Sequence, residues 1–289
     1  MALNDLGIPT RITKEEQFFF LNADQVSGVQ SVDISYTNNN VPLKYIGMRG
    51  NVTGVPRGPQ VGSVNITTIP IGNDYFLSLT GNTGFNGYII RDKVDPLGDN
   101  YSFTSGYLTS YNSRASIGTI PTIDIGIDIV GNIGKLNLTE NSGVSGNFIN
   151  ISGGNGQTYP FQIVAPGYLT VNLDDYNTNR LISYDLSINV SRNPIYVVGK
   201  KLPNEVKTNL PVEVNLGFQL EIDTYTGRNL NNFPCVKNNK NITITLQDYN
   251  TSNAFITYSF NDMELIGEDY STSVDGQTQS TLKYRKLYM

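Results

Sequence analysis

The sequence contains no histidine and no tryptophan among its 289 residues. Histidine is the usual general base of hydrolases and the commonest protein ligand of zinc, copper and iron, so Ser-His-Asp and Cys-His arrangements are excluded. The lack of tryptophan weakens a carbohydrate-binding interpretation, since such sites favour large aromatic platforms, although 18 tyrosines are present. We therefore expect no enzyme, no cofactor and no metal site.

Cysteine, basic charge and long apolar runs are also scarce. The single cysteine, Cys235, excludes an intramolecular disulfide. The balance of 20 basic and 25 acidic residues gives a net charge of −5, which argues against a surface that attracts nucleic acid or anionic lipid. No run of about 18 apolar residues and no apolar leader occur, so the sequence predicts a chain that stays soluble in a cytoplasm, without a membrane partner.

What the sequence does contain is an internal repeat. The segment SVDISYTNNNVPLKYIG, Ser31–Gly47, matches SYDLSINVSRNPIYVVG, Ser183–Gly199, at a shift of 152 positions (183 − 31) without a gap. The same alternation of apolar and polar positions continues to Ile66 and Phe218. The repeat indicates one structural unit used twice, each copy about 145 residues long.

Local patterns predict strands almost throughout. From Val29 the period of the apolar residues is two, which is typical of a half-buried strand. Pro42 then opens a return strand, so a hairpin is predicted in both copies. The segments that follow, Met48–Gly58 and Lys200–Leu210, are predicted to be long exposed loops because glycine, proline and polar residues break their pattern.

The helix signals are few and short. Asn73–Gly81 has an N-cap candidate, an acidic first turn and a terminal glycine, which supports at most two turns of helix. A capping box predicts one further helical turn at Thr13–Glu16. The predicted fold is all-β, with an N-terminal arm (1–28), a first module (29–131), a Gly/Asn/Ser-rich linker or insertion (132–158) and a second module (159–289).

Two groups of residues invite a functional interpretation. Asp124 and Asp128 share one strand face, which suits either a pair of catalytic carboxylates, as in glycosidases, or a solvated and repulsive surface. Phe18, Phe19 and Phe20 are consecutive, and neighbours on a strand point to opposite faces. Either one or more of these phenylalanines packs on another subunit, or all of them fold back on their own module.

The order of the segments resembles the tail tube, or major tail, proteins of long-tailed bacteriophages and the related modules of tail hubs and adaptors. The resemblance rests on GVQSVDISY, PLKYIG, DYFLSLTG and GYIIRD in that order, then on GYLTSY at Gly106–Tyr111 and GTIP at Gly118–Pro121. It covers roughly residues 18–130 and 170–284, and Asp223–Asn239 departs from it by lacking the helix signal.

The resemblance implies a structural protein of the virion tail, assembled in the bacterial host cytoplasm. Each module would be a β-sandwich or half-barrel with at most one short helix, and three chains would close a ring of six modules. The rings would stack with one another and with other tail proteins. An acidic lumen would let DNA pass through without specific binding.

The resemblance also implies contacts between subunits and rings, through the phenylalanines and the two long loops. The residues expected there are Phe18, Phe19, Phe20, Arg49, Val52, Val55, Arg57, Lys201, Val206 and Lys207. A single-ring hub, distal tail or terminator protein of the same fold remains an alternative. A carbohydrate-binding adhesin and a histidine-free glycosidase are alternatives from other classes.

Overall fold

The computed structural model describes fifteen separate ranges of the chain. They are residues 18–22, 24–37, 40–43, 47, 53–56, 61–71, 74–90, 100–135, 164–173, 176–178, 180–200, 202–221, 239–248, 253–272 and 278–289. The fold is all-β, as the sequence predicts. Within these ranges no helix is long and apolar enough to cross a membrane.

The described strands divide into two groups that follow one another along the chain. In the first half they are β1 (Phe18–Leu21), β2 (Asp24–Gln25), β3 (Val29–Thr37), β4 (Asn40–Leu43), β5 (Thr53–Pro56), β6 (Val61–Thr68), β7 (Phe85–Ile90), β8 (Tyr101–Ser116), β9 (Thr122–Ile129) and β10 (Ile133–Lys135). In the second half they are β11 (Val164–Leu173), β12 (Tyr176–Thr178), β13 (Leu181–Asn189), β14 (Arg192–Ile195), β15 (Glu205–Thr208), β16 (Val212–Glu221), β17 (Asn239–Asp248), β18 (Ala254–Ser271) and β19 (Gln279–Tyr288).

The two groups have the same antiparallel topology. In the first module the strands lie in the order β2-β1-β7-β8-β9-β6-β3. In the second the order is β12-β11-β17-β18-β19-β16-β13. Each position in one module therefore has a counterpart in the other, and the chain is a tandem duplication in three dimensions.

The register confirms the 152-residue shift found in the sequence. Strands β3, β4 and β5 move onto β13, β14 and β15 at both of their bounds. Val32 pairs with Ile66 in one module, and Tyr184 pairs with Phe218 in the other. Gly47 and Gly199 correspond as well, and both have a positive φ, of 96° and 86°, which glycine adopts at low cost.

Later strands correspond at a shift of 157 positions (262 − 105). Ser105 on β8 and Asp262 on β18 both have a φ of 54°. A β-bulge follows Leu108 in the pairing of β8 with β9, and another follows Leu265 in the pairing of β18 with β19. Bulges bend a strand and increase its local twist, so β8 and β18 are bent in the same way.

The two modules form one continuous sheet. The distal half of β8, residues 109–116, pairs with β9 along one edge and with β13 of the second module along the other. The proximal part of β8 pairs instead with β7 and β10. A 15-stranded sheet results, and one cluster of buried apolar residues draws on strands of both modules.

The predicted hairpins are wrong. β3 does not pair with β4; it pairs with β6, and β13 likewise pairs with β16. β4 pairs with β5, and β14 with β15, as two separate two-stranded sheets, here called the first arm and the second arm. The predicted loops Met48–Gly58 and Lys200–Leu210 therefore each contain a strand. Gly54 and Pro56 are tolerated in β5 because a two-stranded ribbon consists only of edge strands.

The predicted module boundaries also need correction. β1 and β2 lie within the predicted N-terminal arm, yet β1 pairs with β7 of the first module. β10 lies at the start of the predicted linker, but it pairs with β8. The helical turn predicted at Thr13–Glu16 and the rest of the linker lie outside the described residues. The predicted helix is one 3₁₀ turn, Leu77–Thr80, followed by Gly81 in an extended conformation.

Candidate assembly interface

The junction between the modules is an antiparallel pair of strands with a fully defined register. Tyr111 lies opposite Ile188, Ser113 opposite Leu186, and Ala115 opposite Tyr184. These side chains face the core, and Tyr111, Ser113 and Leu186 are each 0% exposed. Main-chain pairing and burial of apolar side chains therefore act together at this junction.

A cluster of hydroxyl groups lies behind the junction. The Tyr111 hydroxyl donates to the Asp74 carboxylate, so its oxygen is left to accept from the Tyr258 hydroxyl at 2.7 Å. Ser113 and the Tyr184 hydroxyl lie 2.8 Å apart in a second hydrogen bond. Tyr258 belongs to the second module and the 3₁₀ turn to the first, so the cluster fixes how the two modules pack.

Asp74 holds this cluster in place through both of its carboxylate oxygens. Its Oδ1 accepts the backbone N–H groups of Phe76 at 2.9 Å and Leu77 at 3.2 Å, which caps the 3₁₀ turn. Its Oδ2 accepts from Tyr111. The sequence predicts a helix cap in this region, and the structure shows that the same carboxylate also serves the module junction.

Burial raises the pKa of the tyrosines in this region. It raises the pKa of the Tyr184 hydroxyl to about 12. Burial also raises the pKa of Tyr111 well above its usual value of 10, and the nearby Tyr258 and Asp74 add to this effect. All these groups are neutral donors at physiological pH, so the cluster is a structural network of hydrogen bonds.

Arg192 fastens the second arm to the first module. Its guanidinium donates to the Leu108 carbonyl at 3.0 Å, the Thr80 carbonyl at 3.1 Å and Asn82 Oδ1 at 3.3 Å. It also donates to Thr208 Oγ1, across the same arm, at 2.5 Å. Because a planar guanidinium presents several donors in a fixed geometry, it holds the base of the arm in one orientation. The counterpart of Arg192 in the first arm is Asn40.

One edge of the continuous sheet is β3. Among the described residues β3 pairs with β6 alone, whereas its counterpart β13 has a neighbour on each side. The burial reflects this difference. Tyr36 is 59% exposed, while its counterpart Ile188 is 6% exposed, and Val32 and Ile34 are half-buried where Tyr184 and Leu186 are buried.

A second edge of the same kind lies on β18. In the described part of the chain, residues 265–271 of β18, here called distal β18, pair with β19 only. In contrast, residues 110–114 of β8 pair with both β9 and β13. Tyr270 of distal β18 is 53% exposed, and the counterpart of Tyr270 is Ser113, which is 0% exposed. The two edges left without a described partner are thus the counterparts of the two strands that pair at the internal junction.

The tip of the second arm exposes several large apolar side chains. They are Ile195, Tyr196, Val197, Val198 and Leu202. At the opposite end of the sheet, the turn between β8 and β9 exposes Ile117 and Ile120. Apolar groups concentrated at the ends of a molecule are typical of contacts with other proteins.

The structure removes several of the predicted contact residues from the surface. Phe19 and Phe20 are 3% and 2% exposed within their own chain, and Val206 is 6% exposed. Phe19 and Phe20 therefore have little surface left for another subunit, because β1 packs both faces against its own module, and Val206 on β15 is likewise covered within its own chain. Phe18 and Val55 lie on β1 and β5, and their backbones pair with Ile90 and Val41.

The other predicted contact residues divide into one exposed lysine and four positions that are not described. Lys207 is exposed on the second arm and forms an ion pair with Glu205 at 3.6 Å. Arg49, Val52, Arg57 and Lys201 lie outside the described residues. The predicted contact residues include none on β3 or on residues 265–271 of β18, the two edges that have one described neighbour each. The 152-residue repeat is the sequence signal that leads to the first of these edges.

Asp124 and Asp128, the carboxylate pair considered from the sequence, have different surroundings. Asp124 forms an ion pair with Arg114 at 2.9 Å and accepts a hydrogen bond from Thr67 Oγ1 at 2.9 Å. Asp128 is exposed on the same face. Among the described residues no group of three or more His, Cys, Asp or Glu side chains is placed to hold a metal ion.

No protein-family model matches the chain, and no curated protein matches it.

Proposed function

We propose that the protein is a structural subunit that assembles with copies of itself, and that the assembly is the tail tube of a bacteriophage. The observation that carries this proposal is the pairing of β8 with β13, by which one module continues its sheet into the next. A chain that already joins two modules edge to edge is suited to join further copies in the same way. The sequence resemblance to tail tube proteins supports the same function.

An interface that uses one edge of a subunit and a different edge of its neighbour is heterologous. Such interfaces give closed rings when the rotation closes, and open filaments when it does not. Three chains would supply six modules, and a closed ring would leave neither β3 nor distal β18 as an open edge. Closure removes the aggregation hazard of an unpaired edge, which is a physical reason for a duplicated β-protein to form rings.

The charge and the exposed ends agree with a conduit built from stacked rings. A net charge of −5 disfavours adhesion of DNA to the protein, so DNA passes through the lumen without specific binding. The apolar tip of the second arm and the apolar turn at the opposite end of the sheet give each ring two ends that differ. On this proposal the protein resides in the virion tail, is assembled in the host cytoplasm, and contacts itself and other tail proteins.

The mass of the purified protein tests the proposal. Native mass spectrometry should show a species of three chains, three times 31.8 kDa, and negative-stain microscopy at high concentration should show rings stacked into tubes. Rings that never stack would instead favour a single-ring hub or terminator protein. A stable monomer at every concentration, with neither rings nor tubes, would refute the proposal.

A further inference from the structure

We propose that β3 of one chain pairs antiparallel with the distal half of β18 of a second chain, in the register of the internal pairing of β13 with β8. The inference rests on the proposed self-assembly and adds to it the two strands, their direction and their alignment. It follows from the duplication, because β3 is the counterpart of β13 and β18 is the counterpart of β8.

The register is obtained from the internal residue pairs of β13 with β8. Subtracting 152 from a residue number on β13 gives its counterpart on β3, and adding 157 to a residue number on β8 gives its counterpart on β18. The internal pair Leu186–Ser113 therefore corresponds to Ile34 of one chain opposite Tyr270 of the other. In the same way the remaining core-facing pairs become Val32 with Thr272 and Tyr36 with Glu268. On the outer face, Asp185 with Arg114 becomes Asp33 with Ser271.

Burial supports this alignment. The core-facing side chains of β3 are more exposed than those of β13 at each of these three positions, which is what removal of one neighbouring strand leaves behind. Tyr36 on β3 is 59% exposed, and Tyr270 on β18 is 53% exposed. Pairing of the two edges would cover both tyrosines and place their large rings on the inner face of the new junction.

The junction between chains lacks two devices that stabilise the internal junction. Glu268 stands where the internal junction has Tyr111, so the hydrogen bond to Asp74 has no counterpart. Asn40 stands where the second arm has Arg192, so the guanidinium clamp has no counterpart. The junction between chains therefore has strand pairing without these anchors, and we expect it to be the weaker of the two and to form after each chain has folded.

Cysteine cross-linking tests the register directly. Asp33→Cys and Ser271→Cys are introduced together in a background with Cys235→Ser, since both native residues are exposed. Residues directly opposite on antiparallel strands have Cα atoms about 4.5–5.5 Å apart, within the range of a disulfide. Mild oxidation should convert assembled protein into covalent dimers and trimers on a non-reducing gel.

Two control variants isolate the register. Asp33→Cys with Asp269→Cys is displaced by two residues, to about 7–8 Å, and should cross-link roughly tenfold less. Arg114→Cys with Asp185→Cys is the matched internal pair and should cross-link within one chain, giving no dimer.

The outcomes separate the register from the self-assembly on which it rests. Rings without a cross-link at 33 and 271, or with equal cross-linking of the displaced pair, would overturn the proposed register and leave self-assembly intact. Absence of both rings and cross-links, with the internal pair still oxidising, would overturn both the register and the proposed self-assembly.

Discussion

Ile34 and Leu186 occupy the same position in the two modules, and their truncation should have different consequences. Leu186 is 0% exposed, with β8 on one side and β16 on the other. Ile34 is half-buried, because β3 has β6 as its only described neighbour. The chemistry of the two side chains is similar, so any difference between the variants reports the missing neighbour.

The magnitudes follow from these burials. Leu186→Ala should lower the free energy of unfolding of the single chain by about 2–5 kcal/mol, as for a buried leucine. Ile34→Ala should lower it by only about 1 kcal/mol, since part of that side chain already contacts solvent. If assembly buries Ile34 as Leu186 is buried, the variant should also lose about 1–2 kcal/mol per junction, roughly 5–30-fold in each association constant.

Two measurements on each variant check the expected changes in unfolding free energy and in assembly. Urea unfolding followed by circular dichroism at low protein concentration gives the stability of the single chain. Sedimentation velocity over a concentration series gives the midpoint of assembly. Asp185→Asn, at an exposed position on β13 outside the proposed junction between chains, is the control that should leave this midpoint unchanged. Equal destabilisation of the single chain by the two alanine variants, or an unchanged assembly midpoint for Ile34→Ala, would refute the reasoning.

Two further predictions concern the internal junction. Arg192→Met should destabilise the chain by about 1–3 kcal/mol and speed amide hydrogen exchange in β14 and β15, because it removes charge-assisted hydrogen bonds. Lys207→Met on the same arm should cost less than about 1 kcal/mol, since it breaks one exposed ion pair, and similar exchange rates in the two variants would contradict the clamp. The second prediction is a loss of stability in alkali. Burial raises the folded-state pKa of Tyr184 from 10 to about 12, so above pH 10 the unfolded chain loses this proton first. The contribution of Tyr184 to stability is complete below pH 10 and should be lost as pH rises to about 12, by up to about 1.4 kcal/mol per pH unit. Denaturant unfolding across this range should show a shallower fall for Tyr184→Phe than for the unmodified protein, and an identical fall would argue against a buried neutral hydroxyl.

Much of the fold was predictable because strand formation and duplication each produce a recognisable pattern within short segments of the sequence. The alternation of apolar residues from Val29 predicted a half-buried strand, and β3 begins at that residue with alternate side chains half-buried. The repeat of Ser31–Gly47 predicted two modules, and the matching registers confirm it. Each of these inferences depends only on the order of residues along one strand or on comparison of two segments.

Strand pairing was harder to predict because it depends on residues far apart in sequence. The turn after Thr37 suggested a hairpin of β3 with β4, but β3 pairs with β6, where the apolar face of β3 finds a buried neighbour. Glycine and proline concealed β5 (TGVP), whereas the polar residues on both sides of Val206 concealed its counterpart β15 (EVKT).

By itself, the sequence determined that the protein is all-β, duplicated, acidic and without histidine, since composition and periodicity are read from the order of residues without knowledge of their contacts. The tertiary structure decided which edges are paired and which are left open. It buried Phe19 and Phe20 in their own module and left Tyr36 and Tyr270 on the edges of the sheet. The physical reason is that a strand has the same local pattern whether one or two neighbours flank it, and only the assembled sheet shows where a neighbour is missing.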